Sequence, residues 1–298
     1  LEKDPANSVL HADLAQVYLR QSDYAQALKA CGEAMTLAPE AIDLRVLQVE
    51  LFALDKRETE CREALAALKS SLTPLGLDRL TARVEALFGN DANAVSHLER
   101  HIGTDAAATI QWAELKFKGD DESSSMLGLL SKQILSGEEW SSLALTAQDH
   151  SLSRAAEHCM HQATMTEPNN AQYLNNWAWF ALQLPDHASK KESILAACRK
   201  AHQALSKSPA AIDTYAEACV TLNESEECLT ILSQIPELIS AHPRLRYQQA
   251  RALAQLHKHN EALEQLRKCQ AELQKAPTQV LPLKKEELDQ LESRLAQG

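Results

Sequence analysis

Ten prolines punctuate this chain of 298 residues, and five of them keep a fixed distance. The step from Pro5 to Pro39 recurs from Pro209 to Pro243 and again from Pro243 to Pro277, a period of about 34 positions. A fixed period of this size marks an array of small supersecondary units, each too small to bury a core alone and stable only when stacked on its neighbours. The same ruler limits what each unit can be. Glycine supplies only 8 of the 298 residues, which argues against a β-sandwich or barrel, where a turn residue is needed every ~8–12 positions. Neither G-x-G-x-x-G nor G-x-x-x-x-G-K-[ST] occurs, so no glycine-rich loop is available to cradle a phosphate.

Apolar and small residues recur in step with the prolines. In residues 8–41 the markers are Leu14, Ala15, Tyr18, Ala27, Cys31, Ala34 and Pro39, and in 137–170 they are Trp140, Leu143, Ala144, Ala156, Met160, Ala163 and Pro168. Residues 171–208 repeat them with Leu174, Trp177, Ala178, Ala181, Ile194, Cys198 and Ala201, in a unit made longer than the others by the loop Leu184–Ser189. Residues 209–242 carry Tyr215, Ala216, Cys219, Cys228, Leu232 and Ile235, and 243–276 carry Ala250, Leu253, Ala262, Leu266 and Cys269. The pattern resembles the tetratricopeptide repeat, W-x2-L-G-x2-Y, then A-x3-F, then A, then P, in which each unit is two antiparallel helices. Small residues at repeat positions 8, 20 and 27 let helices approach closely, and large residues at 7, 11 and 24 fill the gaps between them.

The resemblance implies an all-α, right-handed superhelical solenoid of about eight helix-turn-helix repeats. Residues 1–7 are expected to be the tail of a preceding repeat, and 8–75 to form two units, the second a looser match through Phe52, Cys61, Leu65 and Leu68. Residues 76–136 read as two degenerate units with uncertain boundaries, and five of the eight glycines fall there. Four units follow over 137–276. A polar capping helix over 277–298, with Leu283, Leu288, Leu291 and Leu295 on one side, is expected to end the array.

The net charge of −11 disfavours unaided binding to a nucleic-acid backbone. No run of 18 apolar residues is present to insert into a membrane. Seven cysteines at wide spacing, without C-x-x-C, point to small buried hydrophobes and slightly favour a reducing, cytoplasmic setting, with a periplasmic one left open. Cys219 and Cys228 sit on facing helices, where a disulfide is conceivable. His97/His101 and His158/His161 share helix faces at metal-compatible spacing, but H-x-E-x-H is not the zinc-hydrolase order and no third ligand is placed. Packing or surface roles are the expectation for all four. No G-x-S-x-G motif occurs. The chain is therefore read as non-enzymatic, with no metal and no cofactor.

In tetratricopeptide arrays the first helix of each unit lines the concave surface. The resemblance then implies that Gln172, Asn175, Asn176, Trp179, Asp213, Glu217, Tyr247 and Arg251 form a peptide-binding floor, with Thr214, Arg244 and Gln248 beside them. Asn and Gln can pair with both groups of an extended backbone, and Trp, Tyr and Arg are common anchors. The competing expectation is that Trp179 and Tyr247 merely pack and the polar residues are solvated. The clamps that hold the C-terminal carboxylate of heat-shock chaperones need Lys and Asn where this chain has Ala12, Gln16 and Leu47. Only Asn176 matches that pattern, and Asp213 and Glu217 would oppose a carboxylate. The stretch Leu174–Trp179 through Tyr215 is similar to long bacterial tetratricopeptide proteins, some of which serve envelope assembly or exopolysaccharide export. The reading that follows is a scaffold binding an extended peptide or helix of a protein partner. Two alternatives are a regulatory or targeting module of a larger protein and a self-assembling array. Oligomeric state is open.

Overall fold

A computed structural model describes residues 7–275, 283 and 285–296, and no strand occurs among them. Residues 1–6, expected as a preceding tail, and most of 276–284, expected to begin the cap, lie outside the described residues. The chain divides into two compact units, Leu1–Ile134 and Leu135–Gly298.

The first unit holds α1 (Ser8–Arg20), α2 (Tyr24–Leu37), α3 (Ile42–Leu54), α4 (Glu58–Ala67), α5 (Pro74–Leu87), α6 (Asp91–Leu98), α7 (Ala106–Lys118) and α8 (Ser124–Leu130). Each hairpin through α6 packs its helices on each other, and α2 passes the stack to α3, α3 to α5 and α6 to α7. Ala15, Ala27, Ala30, Cys31, Leu47 and Leu51 make one core, and Val49, Ala53, Cys61, Leu68, Leu80 and Val84 the next. Asn7, Asp23, Thr73, Asp105 and Ser123 cap helices by accepting backbone N–H bonds, which satisfies donors a helix start leaves open.

The second unit holds α9 (Gly137–Asp149), α10 (Ser153–Thr166), α11 (Ala171–Leu182), α12 (Lys191–Ala204), α13 (Pro209–Thr221), α14 (Ser225–Ser233), α15 (Pro236–Ala241), α16 (Pro243–Gln255), α17 (His259–Lys275) and α18 (Lys285–Leu295). First helices again pack along the array, α11 on α13 and α13 on α16. Ala144, Ala178, Ala216 and Ala250, at repeat position 8, are fully buried, as the close helix approach requires. α18 lays Leu288, Leu291 and Leu295 against Tyr247, Ala250, Leu253, Leu266 and Cys269. The short α15 is an addition to the two-helix unit expected over 209–242.

A second ruler lies in the backbone. Ser22, Lys56, Gly89, Asp120, Ser151, Asn223 and His257 all have φ between 56° and 83°, each just after the first helix of a hairpin. In every case the next residue donates to the carbonyl five residues back: Asp23 to Tyr18, Arg57 to Phe52, Asn90 to Glu85, Asp121 to Lys116, Leu152 to Ala147, Glu224 to Cys219 and Lys258 to Leu253, at 2.7–3.0 Å. This is the Schellman closure, which satisfies carbonyls the helix end would strand. In five units the left-handed residue is at repeat position 15. The remaining hairpin, α11–α12, has Pro185 there. A proline ring holds φ at about −65°, so that turn cannot form. A longer loop with a 3-10 turn at His187–Lys190 replaces it, which accounts for the extra length of this unit.

The ruler also explains the degenerate middle. Ser22 and Lys56 are one proline period apart, but the steps from Lys56 to Gly89, Asp120 and Ser151 fall short of that period by one, three and three positions. The two units over 76–136 still hold two helices each, α5 with α6 and α7 followed by the short α8, and each is shortened by three positions, so a comb of fixed period loses phase across them.

Candidate functional site

Repeat position 9 points away from the hairpin core. Counted with the corrected unit lengths, it holds Gln16, Glu50, Arg83 and Glu114 in the first compact unit and Leu145, Trp179, Glu217 and Arg251 in the second. Six of these are polar. Two neighbouring hairpins carry large apolar side chains there, and both are open to water: Leu145 is 50% exposed and Trp179 38%. Sequence reasoning included Trp179 and missed Leu145, because the floor positions were applied only from α11 onward.

Around Trp179 the predicted amides hold one another. Gln172 Nε2 donates to Asn176 Oδ1 at 2.9 Å, and the buried Asn175 Nδ2 donates to the same oxygen at 3.2 Å. With Oδ1 engaged twice, Asn176 keeps its Nδ2 hydrogens and Gln172 its Oε1 for an outside partner. Beneath them, Trp177 Nε1 and Lys190 Nζ both reach the buried Glu157 carboxylate, at 2.9 and 2.8 Å. The Trp179 ring meets Phe180 edge-on at 5.1 Å between centroids. A rigid helix therefore presents the exposed indole.

The other predicted residues come together as a closed network. Arg251 Nη1 donates to Glu217 Oε2 at 2.5 Å and to Gln248 Oε1 at 2.9 Å. Gln248 Nε2 donates to Glu217 at 2.8 Å and to Asp213 Oδ1 at 2.9 Å. Arg244 lies 3.5 Å from both Asp213 and Glu217, and its Nη1 holds Glu287 of α18 at 2.7 Å. Burial pushes the Glu217 carboxyl up, but Arg251, Gln248 and Arg244 outweigh it and hold it below its ordinary range. Burial prevails at Asp213, which is raised despite Arg244. Tyr247 is only 7% exposed. Arg244 and Arg251 each sit 5.7 Å from its ring centre, and its hydroxyl donates to the Glu287 carbonyl at 3.2 Å. Gln172, Asn176 and Trp179 thus face outward, whereas Asp213, Glu217, Tyr247 and Arg251 are turned to one another and to the capping helix.

The histidine and cysteine candidates are likewise absorbed into structure. His97 Nδ1 and His101 Nε2 each pair with a different oxygen of Asp78, both at 2.9 Å. His161 lies on Trp177, 5.3 Å between ring centres. All seven cysteines are buried free thiols, including Cys219 and Cys228. Burial pushes Cys31 up to about 11 and Cys198, Cys228 and Cys269 to about 12, which suppresses the nucleophilic thiolate. No group of three metal-ligating side chains occurs among the described residues.

The sequence model of the family "Anaphase-promoting complex, cyclosome, subunit 3" matches residues 186–269, which span α12 to most of α17. That match joins a run of helix pairs with small residues at fixed positions and left-handed turns in seven of eight hairpins. The chain has a tetratricopeptide-type fold. One chain of the crystal structure of the APC/C hetero-tetramer Cut9–Hcn1 is similar at 12% identity and TM-score 0.42, over 99% of this chain and 57% of that one. The chain thus spans little more than half the length of that relative. A tetratricopeptide repeat protein from Parabacteroides merdae is similar at 10% identity and TM-score 0.41, over 97% of this chain and 98% of that one. Yeast Tom70 is similar at 12% identity and TM-score 0.37, over 90% and 70%. No curated protein sequence matches the chain. Tetratricopeptide-type proteins are generally non-enzymatic scaffolds that mediate protein–protein interaction. Among the described residues no helix is long and apolar enough to cross a membrane.

Proposed function

We propose that the chain is a scaffold that captures an extended segment or helix of a protein partner on the first-helix face of α9 and α11. The observation that carries this reading is the occupancy of position 9. At two of the three places where charged residues of opposite sign follow each other there, they pair internally: Arg83 meets Glu50 at 2.9 Å as Arg251 meets Glu217. Leu145 and Trp179 follow each other as two apolar groups, and both stay open to water. Leaving an indole and a leucine half in water forgoes burial free energy of about 25 cal/mol per Å2 of apolar surface, which a partner can recover. Tryptophan is also among the residues that most often dominate binding energy. The adjoining Gln172 acceptor and Asn176 donors match the N–H and C=O of a partner backbone. Asp213, Glu217 and Arg251 belong to this reading as the rigid border of the site, and Tyr247 as the support that docks the cap.

Replacing Trp179 and Asn176 together by Ala should abolish capture of native partners in a pull-down and leave the far-UV circular dichroism unchanged. Partner capture that survives the double substitution defeats the proposal.

A further inference from the structure

Leu145 stands between two acids on α9. Glu138 lies seven positions before it and Asp149 four positions after it, and both are exposed. At about 3.6 residues per turn the three side chains fall within about 40° of one another, so they form one stripe along the helix. The stripe of α11 has the same arrangement in neutral form, with Gln172, Trp179 and Gln183 at the corresponding positions. Polar groups thus bracket both exposed apolar side chains, and on α9 they are carboxylates.

Neither carboxylate is used inside the protein. Glu139, the neighbour of Glu138, closes the capping box with Ser136. The carboxylates of Glu138 and Asp149 make no ion pair or hydrogen bond among the described residues. The lysines that open α12 are already taken, Lys190 by Glu157 at 2.8 Å and Lys191 by Glu224 at 2.6 Å. Nor does the helix itself favour Asp149. It is the last residue of α9, where the unsatisfied carbonyls oppose an anion, and no basic residue lies in that turn. A cation from outside would offset that cost.

We propose, on the basis of the α9–α11 capture face, that the captured segment carries basic residues on both sides of a large apolar one. Along α9, at roughly 1.5 Å per residue, Glu138 lies about 10.5 Å and Asp149 about 6 Å from Leu145. An extended chain covers about 3.3 Å per residue, so these spans correspond to about three residues and two. The segment therefore has Lys or Arg three positions to one side of its apolar residue and two positions to the other. The apolar residue is set against Leu145 and Trp179. Two exposed ion pairs add only a few-fold in affinity, but they fix register and speed encounter.

The test is an NMR titration of the full chain with the blocked hexapeptides acetyl-Lys-Ser-Ser-Leu-Ser-Lys-amide and acetyl-Lys-Ser-Leu-Ser-Ser-Lys-amide. Matching peptides carry Gln in place of both Lys, or Ser in place of Leu. At least one Lys peptide should shift amides of α9 and α11 with a Kd on the order of millimolar, as expected for so small a ligand. At low salt it should bind about fivefold more tightly than its Gln version, and the advantage should vanish at high salt. Replacing Leu by Ser should weaken it at least about fivefold. Glu138→Gln with Asp149→Asn should make the Lys and Gln peptides equal, whereas Glu192→Gln on α12 should not. Trp179→Ala should weaken both kinds alike. Equal binding of Lys and Gln peptides to the unaltered chain overturns the basic partner and leaves the capture face standing. Absence of shifts in α9 and α11 with every peptide overturns both.

Discussion

Hairpins α9–α12 and the stretch α13–α18 belong to one compact unit and use the same register, yet they treat position 9 in opposite ways. In the first, Leu145 and Trp179 are apolar and left in water. In the second, Glu217 and Arg251 are charged, about a fifth exposed, and satisfied by each other, by Gln248 and by Arg244. Part of the difference lies in how the first helices meet, since α13 packs directly on α16 whereas α9 and α11 make no comparable contact. The chemistry of the neighbouring helix supplies the rest. A side chain at this position is structural when the next first helix packs close enough to offer its chemical complement, and it stays available when the next helix offers another apolar group that reaches no further. Residue type alone therefore does not mark the binding floor of such an array. The pairing between successive units does.

The largest expected effect breaks the paired side of this contrast. Removing one partner of a shielded ion pair strands the other charge, which costs several kcal/mol when burial is complete. Arg251→Met should lower the unfolding free energy by about 2–3 kcal/mol, less than that full cost because Arg244 and Gln248 still reach Glu217. Glu217→Gln in the same chain should recover part of the loss, since no charge remains to be stranded. Trp179→Ala should cost less than ~1 kcal/mol, as little packing is lost at an open position. Urea denaturation of the four proteins checks the order. A Trp179 loss equal to that of Arg251 erases the distinction between the two hairpin groups.

Acid probes the same contrast more gently. Hydrogen bonds from Arg199, at 2.8 Å to each oxygen, and from the Tyr215 hydroxyl hold Glu227 below its ordinary range, as Arg251 helps to do for Glu217. A carboxyl whose folded value is depressed contributes stability above its unfolded value, and that contribution is lost as pH falls through the folded one. Asp213, raised by burial, works the other way, because it favours the folded state when protonated. The net expectation is that stability falls as pH drops below the ordinary glutamate range, because Glu60, Asp78, Glu85, Asp121 and Glu264 are also held low, whereas among the described residues only Glu50 and Glu114 join Asp213 in being raised. Glu227→Gln should flatten that fall, measured as Tm against pH. An unchanged acid limb removes Glu227 from the account. Trp179 makes no hydrogen bond or ring contact with Glu217 or Glu227, so Trp179→Ala should leave the limb as it is.

The alternation of large and small residues makes the helix pairs legible in the sequence. Ala144, Ala178, Ala216 and Ala250 can be placed because position 8 admits little else, and each is buried. The left-handed turn at position 15 is not legible, because Ser22, Lys56, Asp120, Ser151, Asn223 and His257 share no chemistry. The helix-closing hydrogen bonds, and not the side chain, impose the conformation. Hence the units over 76–136 look degraded in the sequence although each has only lost three positions. The polar network escapes for another reason. Gln248 and Asp213 are 35 residues apart in sequence, and whether their side chains meet or face water depends on rotamers that no periodicity encodes. Leu145 could have been found by applying position 9 to every unit.

The smallest effect uses those turns. A left-handed conformation costs an ordinary residue ~1–2 kcal/mol, whereas Gly takes it freely and Asn with little penalty. Against this, glycine gives the unfolded chain more freedom, by roughly 0.5–1 kcal/mol. Ser151→Gly, in the turn between α9 and α10, should therefore stabilise by about 0.5 kcal/mol. Asn223→Gly, in the equivalent turn between α13 and α14, should change stability by less than about 0.3 kcal/mol, since asparagine already tolerates the geometry. Both side chains are outside the networks described above, so the difference between the two substitutions isolates backbone strain from the pairing that separates these hairpins. Equal effects at Ser151 and Asn223 show that the Schellman closure sets the turn's free energy whatever residue occupies position 15.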